Sequence, residues 1–217
     1  EDFINSYHIG NKFRFNDGKC DPFGNFIVGT MTEDDPQKKI GNVFKFSKIN
    51  NEYSIKRIDE LNYVTVSNGL CWYLDKNNKY FFYYVDSPYN RIQKFDYNEN
   101  GIGKHLYDFI KPDCFASAEF DGMTIDTEGM LWVALYNGKQ VVRINTNVDN
   151  NKTEGLAEII SIIKIPNMNG YITSCCFGGE NLDTLFITSA TPSFIKLNHA
   201  KNREEVPKDE NLIKGDG

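Results

Sequence analysis

Three oxygen-bearing side chains stand at matching places in this sequence. Asp17 precedes Gly18, Asn68 precedes Gly69 and Asp121 precedes Gly122, at separations of 51 and 53 residues. A carboxylate, an amide and a second carboxylate, with Asn16 beside the first, make a donor set with no thiolate and no imidazole. Donors of this kind suit hard cations, Ca²⁺ first because it accepts irregular oxygen shells completed by water; Mg²⁺, Mn²⁺ and Zn²⁺ are the alternatives. Such a set supports hydrolysis of an ester: the cation polarises the carbonyl, and a carboxylate orients or deprotonates the attacking water. Taken singly, Asn-Gly and Asp-Gly are common turn dipeptides. Their recurrence at one phase is what argues that they meet.

The elements that would bring them together repeat at the same interval. Apolar runs begin at Phe26, Phe81, Leu131 and Leu185, spaced by 55, 50 and 54 residues. A second strand-like run follows each, with a basic residue inside it: Lys45, Lys94, Arg143 and Lys196. Alternation of apolar and charged residues marks half-exposed strands. Further strands are expected in YSIKRI (53–58), KHLYDFI (104–110) and EIISIIKI (158–165), the last rich in β-branched residues. Turn clusters such as DPFGN, DKNNK and DTEG punctuate them. A four-stranded sheet repeated at this length predicts an all-β fold, a β-propeller, with an ordinary sandwich as the competing architecture.

Composition bounds the rest. With 217 residues, 40% hydrophobic and 14% aromatic, the chain can bury a sizeable core, and the unbroken repeat predicts one domain over 1–217. A net charge of −6, without a basic patch, disfavours nucleic acid, and no apolar stretch is long enough to span a membrane. Five cysteines without a CxxC pair read as free thiols, so a reducing, cytoplasmic compartment is expected. His8, His105 and His199 fall at different phases of the repeat, against a histidine metal site. The charged stretch 200–217 is expected to be loop or a disordered tail. The sequence leaves the oligomeric state open.

Four stretches carry a more specific signal. RFNDGKCDPFGNFIVGTM, SNGLCWYLD, FDGMTIDTEGMLWVALYNG and ITSCCFGG, in this order, resemble the regucalcin, gluconolactonase and luciferin-regenerating-enzyme family. The resemblance implies a six-bladed propeller, of which about four blades lie in this sequence, with a divalent metal on the axis. It implies metal ligands at Asn68 and Asp121, with Asp121 also the general base, and substrate contacts from Arg14 and Asn16. The family's substrate-contacting Glu falls at Asp34, one methylene shorter, with Glu33 beside it. The family's usual Pro before its DGM is Phe120 here. Its third ligand, a Glu in the first blade, belongs upstream of Glu1, so the sequence is expected to be shortened at both ends. The implied function is metal-dependent hydrolysis of a small sugar lactone. The alternatives are a non-catalytic calcium-binding or regulatory propeller, or an inactive shortened homologue.

Overall fold

The computed structural model describes residues 3, 6–7, 12–35, 37–149, 151–165, 170–190 and 213–214. They form a propeller-type array of four sheets that does not close. The first sheet runs β1 (Phe13–Cys20), β2 (Phe26–Thr32), β3 (Gly41–Ile49) and β4 (Glu52–Val64), all antiparallel neighbours. The second repeats the plan with β5 (Ser67–Leu74), β6 (Tyr80–Asp86), β7 (Arg91–Asn98) and β8 (Gly101–Ile110). In the third, β9 (Glu119–Ile125), β10 (Leu131–Tyr136) and β11 (Gln140–Ile144) lead on to β13 (Ile159–Lys164), after a short β12 (Glu154–Leu156) that joins the second sheet. The fourth holds β14 (Tyr171–Gly178), β15 (Thr184–Ala190) and a two-residue β16 (Ile213–Lys214). Lys196, and the expected tail apart from β16, lie outside the described residues. Among the described residues no helix is long and apolar enough to cross a membrane.

The period-two geometry of a strand explains how the sheets stack. In β6, Phe82 and Tyr84 point into a cluster with Ile27, Val43 and Val64 of the first sheet. Their neighbours Tyr83 and Val85 point the other way, into a cluster with Phe120, Met123 and Leu131 of the third. Both faces of this sheet are therefore buried, and the run YFFYYV has no polar alternation for that reason. A third cluster, with Ala134, Val141, Ile172, Cys175 and Leu185, joins the third sheet to the fourth. Cys71 and Cys175 are buried in these seams and all five cysteines are free thiols.

The strand expected at 158–165 forms as β13, and the residues just before it make a separate short strand, β12. Glu154–Leu156 pairs parallel with β8, and Ala157 N–H donates to Ile110 O at 2.8 Å. The chain then returns to its own sheet at Ile159. Period and β-branching fix strand character but carry no information about which edge is free to accept it.

The turns joining inner to second strands share one device. Asp21 accepts the Phe23 and Asn25 N–H groups, Asp75 those of Asn77 and Lys79, and Asp126 those of Glu128 and Met130, all at 2.8–3.0 Å. Asp21 is also tied to the second sheet, because Tyr97 Oη donates to its Oδ2 at 2.7 Å. Tyr97→Phe removes that bond from a buried carboxylate. It is expected to cost about 1–2 kcal/mol, read as a thermal midpoint lower by roughly 3–6 °C.

Candidate functional site

The innermost strands β1, β5, β9 and β14 lie side by side around the axis. Each carries one extra residue relative to its partner strand, and the extra residue falls at the polar step. The ladder slips between Phe15 and Gly18 in β1, between Asn68 and Leu70 in β5, opposite Val133/Leu135 in β9, and between Ile172 and Ser174 in β14. A bulge of this kind bends the strand and re-aims a side chain. The Asp-Gly and Asn-Gly pairs are therefore bulges within strands rather than turns. Their glycines permit close approach: a Cβ on Gly69 would stand 2.5 Å from the Asp121 carbonyl oxygen, and one on Gly122 would stand 2.2 Å from Ser174 Oγ.

The result is a cavity of about 530 Å³ at the convergence. Arg14, Asn16, Asn68 and Asp121 all line it, together with Asp17. Asp34 does not. It sits exposed in the bend after β2, where Thr32 Oγ1 donates to Asp35 O and the chain turns outward, and Met31 and Gln37 reach the cavity instead.

A hydrogen-bond relay organises the lining. Arg14 Nη1 donates to Asn16 Oδ1 at 2.8 Å. Asn16 Nδ2 donates to Ser67 O at 2.8 Å and to Asn68 Oδ1 at 3.3 Å. Asn68 Nδ2 donates to Ser87 Oγ at 2.8 Å, and Ser87 Oγ–H donates to Phe120 O at 2.7 Å, next to Asp121. On the same axis Lys19 Nζ reaches from β1 to Met123 O at 2.7 Å.

Electrostatics single out Asp121. Burial, and then the neighbouring charge of Asp17, push its carboxyl up to about 7. Burial likewise raises Asp17, opposed by the Lys19 ammonium and the Gly18 N–H. Two carboxylates held close in a desolvated cavity form a negative centre without a full counter-charge. That is the environment a hard cation relieves, and the donors are all oxygen, so the residues present fit such an ion. Asn68 Oδ1, the Asp121 carboxylate and, beside it, Asp17 are the groups that could hold it. Among the described residues no cluster of three or more His, Cys, Asp or Glu side chains occurs, so the amide oxygens are a necessary part of the set.

Sequence reasoning missed Ser87, Glu119, Tyr136, Thr173 and Ser174, which also line the cavity. The repeat held a signal for one of them: Thr173 lies 52 residues after Asp121, at the fourth occurrence of the polar step. Tyr136 gave no such signal. It stacks on Tyr171 with ring centroids 4.3 Å apart and planes 13° from parallel, forming a stiff wall. Trp72 and Trp132 pack on Phe82 and Phe177 and do not line the cavity.

Comparison with known proteins matches residues 4–191 to the family described as SMP-30/Gluconolactonase/LRE-like region. A Bacillus subtilis protein that carries the provisional name sugar lactone lactonase YvrE is 36% identical over 89% of this chain and 59% of its own. Regucalcin of Danio rerio is 37% identical over 82% of this chain and 54% of its own. Among solved structures, a luciferin-regenerating enzyme superposes with a TM-score of 0.65 at 31% identity, covering 86% of this chain and 57% of that one. The chain thus spans a little over half the length of the relatives it matches.

Proposed function

This chain belongs to the SMP-30/gluconolactonase/LRE-like family, and on that premise we propose that it hydrolyses small sugar lactones with one divalent cation, Ca²⁺ foremost, held at Asn68 and Asp121. The observation that carries the reading is the buried Asp121 carboxyl, raised to about 7, in a cavity it shares with Asn68, Asn16 and Arg14. When bound, the cation would polarise the ester carbonyl. Arg14 anchors a substrate oxygen by a charge-assisted hydrogen bond. Asn16, fixed between Arg14 and Ser67, supplies a second polar contact. Asp121 takes the proton of the attacking water as the water oxygen bonds to the carbonyl carbon. The ring C–O bond then breaks and its oxygen takes up that proton, giving the open hydroxy acid. The stacked Tyr136 presents a rigid apolar wall suited to the C–H face of a ring.

The test is lactone turnover followed by proton release, with and without chelator. Removal of divalent cations is expected to abolish turnover, and added Ca²⁺ to restore it. Calorimetric Ca²⁺ binding without hydrolysis of any lactone or ester would favour the calcium-binding, non-catalytic reading. Absence of both would overturn the proposal. Arg14→Met is expected to raise KM by about 10-fold or more with a smaller change in kcat, since a charge-assisted bond contributes about 1.5–3 kcal/mol.

A further inference from the structure

We propose that Ser87 is a positioning residue of this site: its hydroxyl, with Asn16 on the other side, holds Asn68 with its amide oxygen, and not its nitrogen, toward the axis. The inference deepens the cation reading above and names a residue that reading does not use.

The argument rests on the direction of the relay. At its start the Arg14 guanidinium can only donate, so Asn16 must present Oδ1 to it. The other side of the Asn16 amide faces Ser67 O, which can only accept, so Nδ2 is placed there independently. Asn16 Nδ2 therefore also points as a donor at Asn68, whose facing atom must accept. At the far end Phe120 O can only accept, so Ser87 spends its single proton on that bond. Toward Asn68 the Ser87 oxygen then offers only lone pairs, and the Asn68 atom beside it must be the donor Nδ2. Both ends dictate the same amide orientation. A flipped Asn68 would set nitrogen against nitrogen at Asn16 and oxygen against a lone pair at Ser87.

The placement of Ser87 supports this role. It begins the 3-10 turn Ser87–Tyr89 at the end of β6 and is 2% exposed. Asp86 beside it pins the turn by accepting the Thr65 and Val66 N–H groups at 2.9 and 2.8 Å, the two residues immediately before β5. Ser87 therefore joins the Asn68 side chain to the backbone that enters Asp121, and it holds both oxygen ligands in one frame. Partners that orient a ligand in this way commonly contribute about 10–100-fold to metal affinity.

Four proteins test the proposal: wild type, Ser87→Ala, Asn68→Asp and the double variant. Ca²⁺ affinity is measured by calorimetry on each. Ser87→Ala is expected to weaken binding by about 10–100-fold. In the Asn68→Asp background the same substitution is expected to change it less than about 2-fold, because a carboxylate offers oxygen in either orientation. Equal losses in both backgrounds would show a merely structural effect and overturn the inference, as would unchanged binding by Ser87→Ala. The second readout needs no metal. NMR hydrogen exchange of the Asn68 side-chain amide is expected to be slow in wild type and fast in Ser87→Ala. Fast exchange in both would also overturn it. Should wild type bind no divalent cation, the cation reading fails, while the exchange data still decide the orientation of Asn68.

Discussion

Asp121→Asn is expected to lower kcat/KM for the proposed lactone hydrolysis by at least about 10³-fold, the scale of a lost general base, and at the same time to stabilise the metal-free protein at neutral pH. The two effects have one cause. Burial and the nearby Asp17 raise the Asp121 carboxyl to about 7, from an ordinary value near 3.8. A carboxyl raised in the folded state favours folding while it is protonated. That contribution is complete below pH 4 and is lost as pH rises through about 7. Above that, the fold carries a desolvated charge, with Asp17 adding to it. An amide keeps the shape and removes the charge. The difference is at most about 4 kcal/mol on the linkage scale of 1.36 kcal/mol per pH unit. Thermal unfolding of the metal-free proteins at pH 5 and pH 8 is the measurement. The variant should gain on wild type at pH 8 far more than at pH 5. Ca²⁺ should raise the midpoint of wild type and leave the variant nearly unmoved. A variant less stable than wild type at pH 8, or one that retains turnover, contradicts this account.

Gly69→Ala is expected to be a large structural lesion for a single methyl group. The added Cβ would meet the Asp121 carbonyl oxygen at 2.5 Å and Met123 Cγ at 2.9 Å. A flexible side chain could give way, but the first of these is backbone in the adjacent inner strand. β5 and β9 must therefore separate, and the Ser87 Oγ–Phe120 O bond at 2.7 Å stretches with them. Overpacking of this kind costs about 1–3 kcal/mol, read as a midpoint lower by roughly 3–9 °C. Cation affinity should fall as well, because Asn68 and Asp121 move apart. The same substitution at Gly24, with no atom within 4 Å of its Cβ, gives the control for clash, although its positive φ adds backbone strain of its own. A Gly69→Ala protein as stable as wild type would mean that the inner strands are not packed this closely.

Much of this arrangement was legible in the sequence. Apolar and aromatic runs at regular intervals read as strands, and the structure places strands at each of them within the described residues. The polar steps were legible because they repeat and because they match a family; Arg14, Asn16, Asn68 and Asp121 do share one cavity. What the sequence withheld depends on three-dimensional routing. Asp34 sits exposed in a bend held by contacts among its neighbours, Thr32 to Asp35 and Glu33 to Lys12. Ser87 lies 19 residues from Asn68, at a strand end with no repeat partner to draw attention to it. The division of 154–165 between two sheets follows from an open edge on β8, which no local pattern encodes. Tyr136 looks, by type and position, like one more core aromatic of β10 until its stacking on Tyr171 is seen.

The three apolar seams between successive sheets are separate from one another. The sheets are thus like leaves bound only to their immediate neighbours, and strain at one seam is not shared by the other two. Polar ties also run between the leaves along the spine, among them Lys19 from the first to the third and Ser87 from the second to the third. The candidate ligand groups Asn68 and Asp121 stand directly beside the Ser87 tie. A ligand held by both is expected to brace the second and third sheets against each other.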